Sequence, residues 1–222
     1  MKLDMKSLFF DEPLSEEVTP CYRSVVLVGP PGVGKGTQGK LLSKIPGIFH
    51  ISSGDMFREL DEASELGQLF NEYATRGELV PDDITVKTWQ KYVRNKIEQK
   101  IYNPETDLLI LDGIPRNIAQ VDLLSPYINV LIVLYMVCDD REVMFKRIQG
   151  RAIKEKRQDD KDEYVVRYRW DYYKRFTEPI IDYYPQDAIR IIDADAVPAD
   201  VLHQILSVIV PIQKKHFSPP LV

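Results

Sequence analysis

Short apolar runs alternate with longer amphipathic stretches along this chain. Runs rich in valine, isoleucine and leucine occupy residues 24–28, 108–111, 130–137 and 188–192, the last of which is interrupted by Arg190. Unbroken apolar runs of this length are typical of strands that are covered on both faces. The stretches between them have helical length, and the first helix is expected at residues 37–44. The alternation predicts an α/β fold with a parallel, doubly wound sheet, helices on both faces, and ligands at the carboxyl ends of the strands.

A glycine-rich turn follows the first predicted strand directly and reads Gly-Pro-Pro-Gly-Val-Gly-Lys-Gly-Thr-Gln over residues 29–38. Consecutive backbone N–H groups in such a turn can wrap a phosphate, and the lysine can follow charge from the β- to the γ-phosphate. The residues expected to bind a nucleoside triphosphate are Gly32, Val33, Gly34, Lys35, Gly36 and Thr37. Gly36 replaces the usual Ser or Thr after the lysine, which argues against a direct bond from the delayed hydroxyl of Thr37 to magnesium. The alternative interpretation is a strand-to-helix turn without a ligand.

Two later loops each carry an arginine and an aspartate. The first spans residues 50–58 and ends in Arg58, and the second spans residues 111–120 and contains Asp112 and Arg116. Both follow apolar segments, so a parallel sheet would bring them to the same edge as the glycine-rich turn. Two guanidinium groups can grip one phosphate through parallel hydrogen bonds, which predicts a monophosphate clamp formed by Arg58 and Arg116. Asp112 is expected to hold a magnesium-bound water.

The segments GPPGVGKGTQ, SSGDMFR and LDGIPR, the last followed by Gln120, resemble those of adenylate kinases. The stretch GELVPDD at residues 77–83 is similar to the part of that family that lines the AMP pocket with backbone groups. The resemblance runs from about Ser24 to the last helix. It implies a P-loop NTPase fold, an insertion that binds the nucleoside monophosphate, and transfer of the γ-phosphoryl group of Mg·ATP to AMP, so that ATP + AMP ⇌ 2 ADP.

The resemblance also implies which residues contact AMP. They are Ser53, Gly54, Arg58, Leu79, Val80, Gly113, Arg116 and Gln120. Gln120 is expected to decide specificity, because an amide can accept from the adenine amino group and donate to the ring nitrogen. Ser53 stands where Thr is more frequent in the family, and it either contacts the base or caps a helix. Ile114 replaces an aromatic residue, which predicts a looser base pocket.

A third segment, residues 139–179, is rich in arginine. A charged run is ordinarily a solvated helix face, but Arg147, Arg151 and Arg157 coincide with arginines that close on the transferring phosphoryl group in short-lid adenylate kinases. The resemblance assigns Arg147 and Arg151 to ATP and Arg157 to AMP. Six positions separate Arg151 from Arg157, too few for the zinc-binding insertion of long-lid relatives.

Beyond Asp160 the match to the family slips by one position. It permits either Arg169 or Arg167 as the last phosphate-binding arginine, and Arg169 is preferred and assigned to AMP. The residues expected to act in catalysis are Lys35, Asp112, Arg116, Arg147, Arg151, Arg157 and Arg169. Converging arginines align donor and acceptor and neutralise charge on the transferring group, and a phosphate acceptor requires no general base.

The resemblance also suggests a domain organisation. Residues 1–22 are expected to form an N-terminal extension of unknown role, with scaffolding as one option. Residues 23–216 are expected to form a single domain, with an AMP-binding insertion at about residues 54–81 and a short lid at about residues 151–161. Residues 217–222, which include two prolines, are expected to form a flexible tail.

The composition argues against several other classes of function. A net charge of −5 with 28% charged residues gives no overall field that would favour nucleic acid or an anionic membrane. Cys21 and Cys138 lie far apart, which fits a reduced compartment, and the central apolar run at residues 130–138 is too short to span a bilayer. We expect a cytoplasmic monomer whose substrates are ATP and AMP. Mg²⁺ is expected to arrive with ATP, with no direct protein ligand but with water contacts from Asp112 and Asp55.

Two rival functions remain open. A UMP/CMP kinase would share the mechanism, but those relatives commonly carry Asn where this chain has Gln120. A nucleotide-sensing P-loop protein without catalysis would be expected to lose the lid arginines, which this sequence retains. Aromatic residues between Tyr168 and Tyr184 could stack on nucleic-acid bases, yet packing of one helical stretch against the sheet explains them more simply.

Overall fold

The computed structural model describes residues 21–155 and 160–217. The strands are β1 (Tyr22–Val28), β2 (Ile48–Ser52), β3 (Leu108–Asp112), β4 (Ile128–Val137) and β5 (Ile189–Asp193). The α-helices are α1 (Lys35–Leu42), α2 (Ser53–Arg58), α3 (Glu65–Thr75), α4 (Asp82–Glu98), α5 (Ile118–Leu124), α6 (Arg141–Lys154), α7 (Glu163–Tyr172), α8 (Ile180–Tyr183) and α9 (Pro198–His216). A π-helical turn, Tyr173–Thr177, and a 3₁₀ turn, Gln186–Ala188, complete the regular structure of the described ranges.

The strands form one parallel sheet in the order β2-β3-β1-β4-β5, which confirms the predicted α/β fold. The four predicted apolar runs form β1, β3, β4 and β5, with bounds that differ from the expected ones by two residues or fewer. β2 lies outside those four runs, because His50 and Ser52 interrupt its apolar pattern. Sheet pairing with β3 makes this segment a strand despite its weaker signal.

The sheet separates two hydrophobic cores. Successive residues of a strand point to opposite faces, so Val25 and Leu27 lie in one core while Val26 and Val28 lie in the other. α1, α6 and α9 cover the first face, and α4 and α5 cover the second. Burial on both faces is the reason that β1 and β3 have continuous apolar sequences, since each fully buried aliphatic side chain contributes about 1.5–3 kcal/mol. The edge strand β5 is instead largely exposed, with Ile191 69% exposed.

The strand order creates a crevice at the carboxyl ends of the strands. From the central strand β1 the chain passes to β2 and β3 on one side before it crosses to β4 and β5 on the other. The loops that follow β1 and β3 therefore begin side by side, at Val28 and Asp112. In open α/β sheets a ligand binds where the strand order reverses in this way.

The aromatic segment expected to form one helical stretch is divided among α7, the π-helical turn and α8. Trp170 and Tyr173 are buried against the cores, as expected, whereas Phe176 and Tyr183 are 41% and 48% exposed. Phe217, the first residue of the predicted tail, is also buried, and its ring lies under the Arg23 guanidinium.

Throughout the two described ranges, every helix is too short or too polar to cross a membrane.

Candidate active site

The glycine-rich turn joins β1 to α1 and forms a cradle at the crevice. Gly32 has a φ of 85°, and a Cβ there would lie 2.6 Å from the Met144 carbonyl oxygen, so only glycine fits. No described side chain caps the start of α1, which begins at Lys35. The first N–H groups of this helix are thus available to an anion, which the helix dipole also attracts.

Lys35 lies inside the cradle. Its Nζ donates to the carbonyl oxygens of Gly29 at 2.5 Å and of Pro30 at 3.0 Å. Burial lowers the pKa of Lys35 to about 8; the Asp112 carboxylate opposes this shift, and the nearby Arg116 adds to it. The two carbonyl contacts and Asp112 thus offset only part of the cost of burying the ammonium group.

Asp112 ends β3 beside the cradle. Its Oδ2 lies 3.6 Å from His50 Nε2, and it would lie 3.6 Å from a Cβ placed on Gly36. Burial alone would raise the pKa of Asp112, but His50 and Lys35 outweigh this effect and hold the pKa below its usual value. The residue thus presents an anionic carboxylate at the start of α1.

Gly113, which follows β3, fixes the Ser53 and Arg116 side chains on one side of the crevice. Its φ is 72°, and its carbonyl oxygen accepts from Ser53 Oγ at 2.6 Å and from Arg116 Nε at 2.8 Å. A Cβ at Gly113 would lie 2.8 Å from Ser53 Oγ. The helix-capping role considered for Ser53 belongs instead to Ser52, whose hydroxyl accepts from the backbone N–H of Asp55 at 3.2 Å.

Arg58 lies on the same side of the crevice and pairs with Asp55 at 2.6 Å. Asp55 does not line the cavity formed by the crevice, unlike Arg58 and Asp112. The structure thus brings only one of the two aspartates expected near magnesium to the cradle. Across the described residues, no group of three His, Cys, Asp or Glu side chains is arranged to hold a metal ion.

Arg151 and Arg169 converge on one buried carboxylate. Asp160, whose side chain has no exposed surface, accepts from Arg151 at 2.7 and 2.9 Å and from Arg169 at 2.8 Å. Arg167, the alternative to Arg169, pairs with Glu163 instead, and its side chain is 67% exposed. Arg157 lies outside the described residues.

Apart from Asp55 and Arg157, the predicted site residues line one cavity of about 570 Å³. Arg147 is among the lining residues, and its Nη1 donates to the Ala194 carbonyl oxygen at 3.2 Å. On the side where the sequence predicts a triphosphate, the lining includes Gly32, Val33, Gly34, Lys35, Gly36, Thr37, Asp112, Arg147 and Arg151. On the side where it predicts a monophosphate, the lining includes Ser53, Gly54, Arg58, Leu79, Val80, Gly113, Arg116, Gln120 and Arg169.

Sequence comparison with known proteins points to one family. A family model described as adenylate kinase matches residues 27–189. The chain belongs to the adenylate kinase family. It is 37% identical to an adenylate kinase of Corynebacterium urealyticum over 184 residues, which cover 80% of this chain and 93% of the relative. It is 36% identical over 195 residues to one of Cyanothece sp., with 83% and 94% covered, and 33% identical over 221 residues to one of Thermotoga maritima, with 83% and 96% covered. Membership places the chain among the phosphotransferases.

Several residues of this adenylate kinase family site were not anticipated from the sequence. Gln120 donates to Asp82 at 2.7 Å, and Asn117 donates to the same carboxylate at 3.0 and 3.1 Å. Thr177 donates to the Arg116 carbonyl oxygen at 2.6 Å. Asp82 belongs to the GELVPDD stretch. The family resemblance implied only backbone contacts for this stretch, so no role was predicted for the Asp82 side chain.

Proposed function

We propose that this protein transfers the γ-phosphoryl group of Mg·ATP to AMP, in the reaction ATP + AMP ⇌ 2 ADP, as the names of its relatives suggest. One observation carries the proposal. The glycine-rich turn and the pocket that contains Gln120 open into the same cavity, and cationic side chains lie between them. Two nucleotides that entered from opposite ends would meet with their phosphates at these cations.

The electrostatics of the cavity favour a polyanionic ligand. Burial and the adjacent Arg169 together lower the pKa of Arg116 to about 10, although Asp112 opposes the shift. Lys35 has a lowered pKa for the same reasons. A site that holds cations against desolvation and mutual repulsion is stabilised when phosphates enter, because they supply the missing counter-charge.

The proposed mechanism uses these groups for alignment and charge stabilisation. Lys35 and the N–H groups at the start of α1 would hold the phosphates of ATP, while Arg58 and Arg116 would hold the phosphate of AMP. Arg151 and Arg169 would neutralise charge on the oxygens of the transferring group, together with Arg147 and, by resemblance, Arg157. Because the acceptor is already an anionic phosphate, no residue is needed as a general base.

The donor set fits a magnesium ion carried by the nucleotide. Asp112 supplies one carboxylate beside the start of α1, and Gly36 leaves open the space in front of it. Mg²⁺ keeps several waters and binds through few carboxylates plus substrate phosphates, so a single aspartate suffices to orient it through water. When bound, the ion would offset negative charge on the phosphates of the nucleotide, and Asp112 would help to hold it through water.

We assign the AMP-binding insertion to about residues 54–81 and the short lid to about residues 151–161. Asp160 ties Arg151 of α6 to Arg169 of α7, which supports a lid that brings both arginines to the phosphates together. Such closure would exclude water, which otherwise competes as phosphoryl acceptor. We propose a monomer in which one chain supplies every side chain assigned to the site, and the unpaired Cys21 and Cys138 fit a reducing cytoplasm.

The test is a coupled assay of ADP formation with purified protein, ATP, Mg²⁺ and a panel of AMP, UMP and CMP. We expect kcat/KM for AMP to exceed that for the pyrimidine nucleotides by about a hundredfold or more, because a buried amide left unpaired penalises the wrong base. Turnover of UMP or CMP but not of AMP would show that the acceptor is a pyrimidine nucleotide. ATP binding without transfer to any monophosphate would indicate a nucleotide sensor and overturn the proposal.

A further inference from the structure

We propose that Asp82 is a positioning residue that fixes the direction of the Gln120 amide and so makes the monophosphate pocket selective for adenine over bases with the opposite hydrogen-bonding edge. The inference rests on the proposed function, because it takes AMP as the acceptor. It assigns to Asp82 a role that the GELVPDD motif did not indicate.

The Gln120 amide is held at both ends. Its Nε2 donates to Asp82 Oδ1 at 2.7 Å, and its Oε1 accepts from the backbone N–H of Arg116 at 2.8 Å. The residue is 1% exposed, so water does not compete for either group. It nevertheless lines the cavity, on the monophosphate side.

The two partners of the amide admit only one orientation. A backbone N–H can only donate, and a carboxylate can only accept. If the amide rotated by half a turn, its NH₂ group would face the Arg116 N–H and its oxygen would face Asp82. Two favourable contacts would become a donor facing a donor and an acceptor facing an acceptor, both in a buried site.

The fixed orientation turns an ambiguous side chain into a selective one. A glutamine amide has two N–H groups and an oxygen with two lone pairs, so after these bonds one N–H and one lone pair remain for a ligand. Adenine presents an acceptor ring nitrogen beside a donor amino group. Hypoxanthine presents a donor ring N–H beside an acceptor oxygen, the reverse arrangement. An amide that cannot rotate can match only one of these edges.

The carboxylate that fixes the amide is itself held firmly. Asn117 Nδ2 donates to both oxygens of Asp82, at 3.0 and 3.1 Å, and lies 3.1 Å from the Tyr172 hydroxyl. The Asn117 side-chain oxygen accepts from the Gln120 backbone N–H at 2.8 Å, as the cap of α5. Asp82 is also the first residue of α4. The carboxylate, the amide and two helix starts thus form one connected network.

The experiment compares Asp82→Asn with Asp83→Asn. Asp83 is the next residue of α4, is exposed, and lies in the same first turn, so its substitution removes the same charge from the same helix end. An asparagine at position 82 can donate as well as accept, so that only the Arg116 backbone N–H still opposes the rotated amide. The readout is kcat and KM for AMP and for IMP, with saturating Mg·ATP, together with the thermal unfolding midpoint.

For Asp82→Asn we expect the ratio of kcat/KM for AMP to that for IMP to fall about tenfold, mainly through a higher KM for AMP with a smaller change in kcat. Asp83→Asn should keep the wild-type ratio. In a Gln120→Ala background, Asp82→Asn should no longer change the ratio, because the amide on which it acts is gone.

Three outcomes would overturn the inference. The AMP-to-IMP ratio of Asp82→Asn could equal that of Asp83→Asn, both substrates could lose efficiency in equal proportion, or the ratio could still change in the Gln120→Ala background. Wild-type protein that fails to use AMP would instead refute the proposed function. The two failures are therefore distinguishable in one set of assays.

Discussion

Lys35 shows how a single group in the cradle depends on its surroundings. Burial lowers its pKa to about 8, and bound phosphates would restore the charged form by supplying negative charge. When the pH is below the pKa that Lys35 has in the free protein, its ammonium group is already charged before ATP binds. Above that pKa, ATP binding has to take up a proton from solvent, so the measured affinity must depend on pH.

We therefore expect the dissociation constant for Mg·ATP to be nearly constant up to about pH 8 and then to rise, by at most about tenfold per pH unit. The rise should continue until the pKa of Lys35 in the complex is reached. Isothermal titration calorimetry without AMP, in buffers of different ionisation enthalpy, would measure both the affinity and the proton uptake.

Lys35→Arg is the control for this pH dependence. A guanidinium group stays charged throughout the range, so the variant should bind ATP with whatever affinity its geometry permits but without the rise above pH 8. A wild-type affinity that does not change between about pH 7.5 and 9.5, or an equal rise in both proteins, would contradict the assignment of the titration to Lys35.

At the scale of elements, α6 and α7 are joined through Asp160. Its buried carboxylate binds Arg151 of α6 and Arg169 of α7, whose side chains are 29% and 20% exposed. Two arginines that would otherwise repel each other are thus held together at the cavity. The π-helical turn after α7 adds a further constraint, because it brings the Thr177 hydroxyl to the Arg116 carbonyl oxygen.

Asp160→Asn should lower kcat for the proposed reaction by about a hundredfold, because the two arginines lose the charge that positions them. The free energy of unfolding should fall by about 1–3 kcal/mol, as is usual when one partner of a buried charged pair is removed from groups that are still partly solvated. Steady-state kinetics and urea denaturation would measure the two effects.

Glu163→Gln is the matched control for this lid variant. It removes a carboxylate that pairs with an arginine of the same helix, Arg167, but both side chains are largely exposed. We expect kcat to stay near that of the wild type and stability to change by less than about 0.5 kcal/mol. If the two variants behaved alike, the pairing at Asp160 would have no special part in the reaction.

At the scale of the whole molecule, the cavity joins cations from distant parts of the chain. Lys35 belongs to α1, Arg116 to the loop after β3, and Arg147 and Arg151 to α6. The fold brings these like charges to one cavity. A ligand that carries phosphates at the centre and a base at each end should therefore stabilise the folded state strongly.

A dinucleoside polyphosphate with adenine at both ends, at about one hundred times its dissociation constant, should stabilise the protein by about 2.7 kcal/mol and raise the unfolding midpoint by roughly 5–10 °C. In the double variant Arg116→Ala and Arg169→Ala the shift at the same ligand concentration should fall to less than half. Differential scanning fluorimetry would measure it. Arg167→Ala should keep the full shift, and an undiminished shift in the double variant would refute the shared phosphate site.

Much of the fold follows from local features of the sequence. The apolar runs that form β1, β3, β4 and β5 were recognisable because buried strand positions require apolar residues. The glycine-rich turn was recognisable because a tight turn with positive φ requires glycine. β2 was harder to recognise, since His50 and Ser52 disrupt its pattern and its conformation depends on pairing with β3.

The residue types of the glycine-rich turn and of the arginine-bearing loops were enough to predict phosphate chemistry and the adenylate kinase family from the sequence alone. Their partners were decided only by the tertiary structure. Asp82 and Gln120 are 38 positions apart, and Thr177 and Arg116 are 61 apart. The choice of Ser52 over Ser53 as the cap of α2 likewise depended on backbone conformation. Local sequence specifies a turn or a strand, but contacts between distant residues exist only once the helices pack on the sheet, so the packing decides which carboxylate orients which amide.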